Sequence, residues 1–135
     1  RSKLGGWVPG QKYYQAVLQH YREKFTDPVF IVASDDLGHA KANFAQEDDV
    51  IFTELNSDVE DIALLASCSA TAMTVGSFGW WAGFLSGGEV VYSLLTRFKE
   101  TPDAHPISLG PLGYENWRGI FANGTHASRK YQDDL

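Results

Sequence analysis

The run Thr71-Ala-Met-Thr-Val-Gly-Ser-Phe-Gly-Trp-Trp-Ala-Gly-Phe-Leu-Ser-Gly-Gly-Glu-Val-Val-Tyr92 constrains the fold more than any other stretch of this chain. It predicts a short strand over Thr71–Val75, a glycine turn, an aromatic helix over Ser77–Leu85, a second glycine turn and a strand over Glu89–Tyr92. Two strands joined by one helix and such short turns pair in parallel through a right-handed crossover. The first turn sets Gly76, Ser77, Phe78 and Gly79 at the carboxyl end of a strand and the amino end of a helix. Open α/β sheets bind anionic ligands at such a place.

The sequence before this run repeats the alternation. Pro9 to Phe25 predicts a helix, with Pro9 in its first turn and Tyr14, Val17, Leu18, Tyr21 and Phe25 on one stripe. Val29-Phe-Ile-Val-Ala33 is a continuous apolar run, as expected of a strand covered on both faces. A short helix over Leu37–Phe44 and a strand over Val50–Thr53 follow. Ser57-Asp-Val-Glu60 has the form of a capping box, opening a helix with Val59, Ile62, Ala63 and Ala66 on one face. The expected class is α/β, a Rossmann-like parallel sheet with helices on both faces. The helix over Ser77–Leu85 is apolar nearly all round and is expected to be buried. Beyond Tyr92 periodicity is lost, and Pro102, Pro106, Pro111, Gly110 and Gly113 mark irregular chain.

Composition bounds the function. The 135 residues suit one domain, and 44% hydrophobic with 13% aromatic residues can fill a core. A net charge of −6 argues against nucleic acid as a partner, since phosphate tracking needs a basic face. No apolar run approaches the ~18 residues of a membrane span, and Arg1-Ser-Lys leads into no signal sequence. The chain starts at Arg1 and is expected to be a piece of a longer protein. Cys68 is the single cysteine, on an apolar stretch that suits a buried thiol. Asn123-Gly-Thr is an N-glycosylation acceptor pattern.

Two segments could carry chemistry. At Gly76-Ser-Phe-Gly79, backbone N–H groups and the Ser77 hydroxyl could donate to a phosphate, or Ser77 could simply cap the helix. The pattern is neither G-x-x-x-x-G-K-[ST] nor G-x-G-x-x-G, so it indicates neither ATP nor a dinucleotide. At Ser34-Asp35-Asp36, a carboxylate could accept from ribose hydroxyls or from the N–H edge of guanine, or could cap the helix at Leu37. Asp48 and Asp49 suit solvated loop charges. Trp80 and Trp81 suit the core, or stacking on a base or sugar. His20, His39, His105 and His126 have no metal-ligand spacing, and no nucleophile elbow or Cys/His pair is present.

Phe30-Ile-Val-Ala-Ser-Asp-Asp36, Asp61-Ile-Ala-Leu-Leu-Ala-Ser-Cys68 and Met73-Thr-Val-Gly-Ser-Phe-Gly-Trp-Trp-Ala-Gly-Phe-Leu-Ser-Gly-Gly88, in that order, resemble the α-1,2-fucosyltransferases of glycosyltransferase family 11. The helix with Tyr13-Tyr14 fits the same pattern, and Tyr114-Glu-Asn-Trp-Arg-Gly-Ile120 does so more loosely. The resemblance covers roughly residues 9 to 120. It implies a GT-B-like enzyme of two halves, of which this chain is the carboxyl-terminal, donor-binding one. Residues 1–93 would form the GDP-fucose-binding half-domain, and 94–135 an irregular segment packed on it with a polar, disordered end.

The resemblance further implies GDP-fucose as donor substrate, no cofactor, a terminal β-galactoside as acceptor, inversion, and no metal. Donor binding is expected at Ser34, Asp35, Asp36, Gly76, Ser77, Phe78 and Gly79. Animal members are Golgi type II membrane proteins, which agrees with the Asn123 pattern. The family's H-x-R-R-G-D type motif, which supplies an arginine to the leaving diphosphate, is absent from this sequence, so the catalytic residues are expected upstream. A helix amino terminus offers an anion ~0.3–1 kcal/mol and at best about 2. Two such ends reach about 4 kcal/mol, near a millimolar dissociation constant. The chain alone is therefore expected to be inactive. The rival readings are another GDP-fucose transferase, such as one for protein O-fucosylation, and a nucleotide-binding domain without catalysis.

Overall fold

The computed structural model describes residues 9–54, 56–74, 76–94 and 115–127. Val75, the three prolines and two glycines beyond Tyr92, and the polar end lie outside the described residues.

Helix α1 spans Gln11–Lys24, and Gly10 is its N-cap, so Pro9 precedes the cap instead of filling the first turn. Its buried stripe is Tyr13, Val17, Leu18 and Tyr21. The expected stripe held Tyr14 and Phe25 in place of Tyr13. Both of those are half-buried, and Tyr14 packs edge-on against Phe44 with ring centroids 5.1 Å apart. Tyr13 goes inside because its hydroxyl finds a buried acceptor, the Met73 carbonyl at 2.6 Å. Eight residues on, Tyr21 donates in the same way to the Thr71 carbonyl at 3.0 Å. On the outer side Arg22 grips Asp49 through two nitrogens, at 2.8 and 2.6 Å, and Glu47 at 2.6 Å. Asp49 is thus a paired anchor and not a solvated loop charge. The Arg22 guanidinium holds its carboxyl below the ordinary range.

The chain continues as β1 (Phe30–Val32), α2 (Leu37–Asn43), β2 (Val50–Phe52), α3 (Asp58–Ala66), β3 (Ala70–Met73), α4 (Ser77–Ser86), β4 (Glu89–Leu94) and β5 (Trp117–Phe121). Every ladder between these strands is parallel. Phe30 stands opposite Val50, Thr71 opposite Val90, and Val90 opposite Trp117. The hydrogen bonds divide the strands into two sheets, β1-β2 and β3-β4-β5. Helix α1 joins them, because its core cluster of Tyr13, Val17 and Tyr21 with Val91 and Ile120 also takes in Phe30 and Ala70.

On the opposite face lies α4. Met73, Val90, Tyr92, Leu94 and Trp117 form the core there, with Trp80 packed on it. Helices thus cover both faces of the three-stranded sheet, which gives the α/β, Rossmann-like architecture expected from the sequence.

Three details differ from the sequence reading. Val29 is 65% exposed and Phe30–Val32 are only half-buried, because β1 pairs with β2 alone. The capping box of α3 is present, Ser57 accepting from the Glu60 N–H while Glu60 reaches back to the Ser57 N–H. No residue of α3 is fully buried, however: Ile62, Leu64, Leu65 and Ala66 are half-buried, Val59 and Ala63 are exposed, and the helix contacts α4. Helix α4 buries only Ala82 and Gly83, and Trp81, Phe84 and Leu85 stand exposed. It approaches the sheet so closely that small residues alone fit the contact. A Cβ on Gly79 would lie 2.7 Å from the Met73 Cβ, and one on Gly83 3.0 Å from a Val90 methyl.

Strand β5 has no counterpart in the sequence reading. Trp117, Gly119 and Ile120 are buried on it, and Gly119 leaves room for Leu94.

Candidate functional site

The two candidate segments both follow strands at their carboxyl ends, Ser34-Asp35-Asp36 after β1 and Gly76-Ser-Phe-Gly79 after β3. In the first, the chain turns on its own side chains. Ser34 Oγ accepts from the Asp36 N–H at 3.1 Å, and Asp36 Oδ1 accepts from the His39 N–H at 2.9 Å as the N-cap of α2. Asp36 is therefore engaged in starting the helix, while Asp35 is exposed at the turn. His39 sits inside α2, where its carbonyl accepts from Asn43 Nδ2 at 2.9 Å.

The second segment is built differently. Gly76 is the N-cap of α4, with φ +102° and ψ 165°, and no side chain caps the helix. Ser77 is the first helical residue, so the reading of Ser77 as a plain cap does not hold. The positive φ at Gly76 is a backbone shape that favours glycine, and it lets the chain enter α4 with Gly76, Ser77 and Phe78 exposed. A helix start without a side-chain cap has N–H groups that need acceptors from outside the helix. Gly79 brings this end of α4 down onto Met73.

Of the two tryptophans expected to suit the core, only Trp80 is packed on it. Trp80 packs on the core beside Trp117, with centroids 5.9 Å apart, and stacks on Phe84 at 5.3 Å. Trp81 is 50% exposed. Cys68 is half-buried against the Leu64 carbonyl, and burial raises its thiol above the ordinary value, which makes it a poor nucleophile.

An ionic cluster at the start of β4 was invisible in the sequence. Glu89 accepts from His20 and, at 2.8 Å, from Lys24, both on α1, and Arg118 of β5 lies 3.9 Å away. Burial pushes the Glu89 carboxyl up, but the hydrogen bonds from His20 and Lys24 outweigh this and hold it below its ordinary value. His126 faces His20 with ring centroids 5.5 Å apart. His20 and Glu89 lie 69 residues apart, and only the fold brings the cluster together.

Two surface clefts flank α1. One of about 430 Å³ lies between α1 and Asn123-Gly124, and the other of about 370 Å³ lies between α1, Arg118 and His126. Neither is lined by the Ser34–Asp36 or Gly76–Gly79 segments. Among the described residues no group of three or more His, Cys, Asp and Glu could hold a metal ion, and no helix is long and apolar enough to cross a membrane.

Comparison with known proteins covers both segments. The family model for Glycosyl transferase family 11 matches residues 2–108. A galactoside alpha-(1,2)-fucosyltransferase 2 of Sus scrofa is 37% identical over 87% of this chain and 36% of its own length. A galactoside 2-alpha-L-fucosyltransferase Sec1 of Mus musculus is 38% identical over 87% of the chain and 33% of its own length. The fucosyltransferase 2 of Gorilla gorilla gorilla is 30% identical over the same share of the chain. The chain spans about a third of the length of these curated relatives. No solved structure matches it. A match over most of the chain, on an α/β frame with the glycine turn at a strand end, settles the family: the chain belongs to glycosyltransferase family 11.

Proposed function

We propose that the complete protein transfers L-fucose from GDP-fucose to the 2-hydroxyl of a terminal β-galactoside, with inversion and without a metal, and that this chain is its donor-binding part. The observation that carries the reading is the 30–38% identity to galactoside fucosyltransferases, within a family match that runs through both strand-end segments. In this reading the acceptor oxygen attacks the anomeric carbon of fucose. The bond from that carbon to the GDP oxygen breaks, GDP leaves with the electron pair, and the acceptor proton passes to a general base. Stabilising the departing diphosphate does most to lower the barrier of such a displacement.

The donor site would be shared by Ser34, Asp35, Asp36, Gly76, Ser77, Phe78 and Gly79, with different duties. The uncapped N–H groups at the start of α4 and the Ser77 hydroxyl suit the diphosphate. Asp36 keeps the β1–α2 turn in shape through its cap on His39, and Ser34 braces it. Asp35, exposed at the same turn, is the carboxylate for ribose or guanine. Since Asp36 already caps α2, the start of α4 alone of the two helix starts at these segments serves the diphosphate, worth at best about 2 kcal/mol. The cation for the leaving group and the general base would come from the remainder of the protein. The same reading places the enzyme in the Golgi cisterna membrane as a single-pass type II protein, facing the lumen.

Steady-state kinetics of the complete enzyme tests the assignment. Asp35→Ala and Ser77→Ala should each raise the donor KM by about tenfold, the loss of one charge-assisted hydrogen bond, and leave the acceptor KM alone. An unchanged donor KM in both removes these residues from the site. The 135-residue chain by itself should transfer no fucose.

A further inference from the structure

We infer that Asn123 is a glycan attachment site and that the cleft beside it on α1 receives the first sugar. Asn123-Gly124-Thr125 forms the tip of a tight turn after β5. The Gly124 N–H donates to the Phe121 carbonyl at 2.9 Å, and the Phe121 N–H to the Thr125 carbonyl at 2.8 Å. Gly124 has φ +87° and lies against α1, where a Cβ would meet the Lys12 carbonyl at 3.0 Å. The middle residue of the acceptor triplet is therefore fixed by the fold, while Asn123 and Thr125 are exposed to solvent. The Asn123 Oδ1 accepts from the Thr125 N–H at 2.9 Å. Among the described residues its amide nitrogen has no hydrogen-bond partner, so a sugar there breaks no contact.

The surroundings suit a sugar. The cleft of about 430 Å³ is shallow and open to solvent, and its floor is lined by Gln11, Gln15 and Gln19, one turn apart on the outer face of α1, with Lys12 and Ala16. The Gln15 and Gln19 amide nitrogens donate to Glu47 at 2.9 Å and to Glu23 at 3.1 Å, which leaves their carbonyl oxygens as acceptors for ring hydroxyls beside the Gln11 amide. The turn also follows the edge strand of its sheet, which among the described residues is covered only by the antiparallel bridge of Ile120 to His126. A glycan at this tip shields that edge from pairing with another chain.

The attachment step needs a lipid-pyrophosphate-linked oligosaccharide and a transferring enzyme. The Asn123 nitrogen bonds to the anomeric carbon, the carbon–oxygen bond to pyrophosphate breaks, the lipid pyrophosphate leaves with the electron pair, and one amide proton is lost to a base. The inference rests on the luminal placement in the proposed function but not on fucosyl transfer itself, and activity is not its readout.

The test is peptide mapping of the complete gene product from a eukaryotic secretory host, after amidase release in ¹⁸O water. The Asn123 peptide should carry ¹⁸O, and finding it unmodified throughout overturns the inference. Asn123→Gln and Thr125→Ala should each lose one glycan band, and Thr125→Ser should keep it. A retained band in both of the first two overturns it equally. For the cleft, deglycosylation should lower the melting temperature of the parent more than that of Gln11→Ala/Gln15→Ala. An equal drop in both removes the sugar from the cleft.

Discussion

At Gly79 a single hydrogen atom sets how near α4 can come to the sheet. A methyl group there would sit 2.7 Å from the Met73 Cβ, next to the backbone and not at a flexible chain end. Helix or strand must move to admit it. Gly79→Ala is expected to destabilise the fold by about 1–3 kcal/mol, as overpacking of a close contact does, measured by the chemical denaturation midpoint. Gly88 is tighter still, since its Cβ would fall 2.1 Å from the Ser69 carbonyl oxygen. Close approach thus accounts for Gly79, Gly83 and Gly88 in the Thr71–Tyr92 run, and positive φ for Gly76 and Gly87. Tyr13 shows the limit of reading residues singly. Tyr13 and Tyr14 are the same side chain one position apart, and only the position of the Met73 carbonyl decides which goes inside.

Among the elements, α1, β4 and β5 meet at the His20–Glu89–Arg118 cluster, and His126 lies beside it. His126 lies below its ordinary value of 6.5, first because it is partly buried, then because His20 and Arg118 add positive charge, against which Glu23 and Glu89 act weakly. A depressed folded value means that the unfolded chain binds the proton more readily. Stability is then fully present above 6.5 and is lost as the pH falls from there through the folded value. Thermal melts should show a lower melting temperature at pH 5.5 than at pH 7.5, and His126→Gln should flatten that slope.

Local signals made β1 to β4 and α1 to α4 legible: apolar runs for β1 to β4, a capping box for α3, glycine turns around α4. They failed for β5, because Gly119 and the exposed Arg118 interrupt its apolar residues and its pairing partner, β4, lies 27 residues back, Val90 standing opposite Trp117. The strand-end segments of the candidate site were legible for the same local reason. The ionic cluster was not, since nothing near Glu89 in sequence announces His20.

Across the whole molecule, the least expected feature is the outward face of α4. Trp81 at 50%, Phe84 at 44% and Leu85 at 55% exposure stand beside Phe78, at the flank of the closely packed glycine stripe. Contiguous exposed apolar surface of this kind promotes association. Sedimentation of the 135-residue chain should show self-association that rises with concentration, and Trp81→Glu with Leu85→Lys should abolish it.

The cluster that unites Tyr13, Val17 and Tyr21 with Val91 and Ile120 bears on how the chain is made. Its earliest member and its last are about a hundred residues apart, and both are fully buried. As synthesis proceeds from the amino end, α1 leaves the ribosome with its apolar stripe uncovered, and its cover is complete only when Ile120 has emerged. At roughly 5–20 residues per second this interval lasts between about 5 and 20 seconds. The helix that ties the two sheets together is thus the element longest in need of a chaperone, and deleting β5 would strand it.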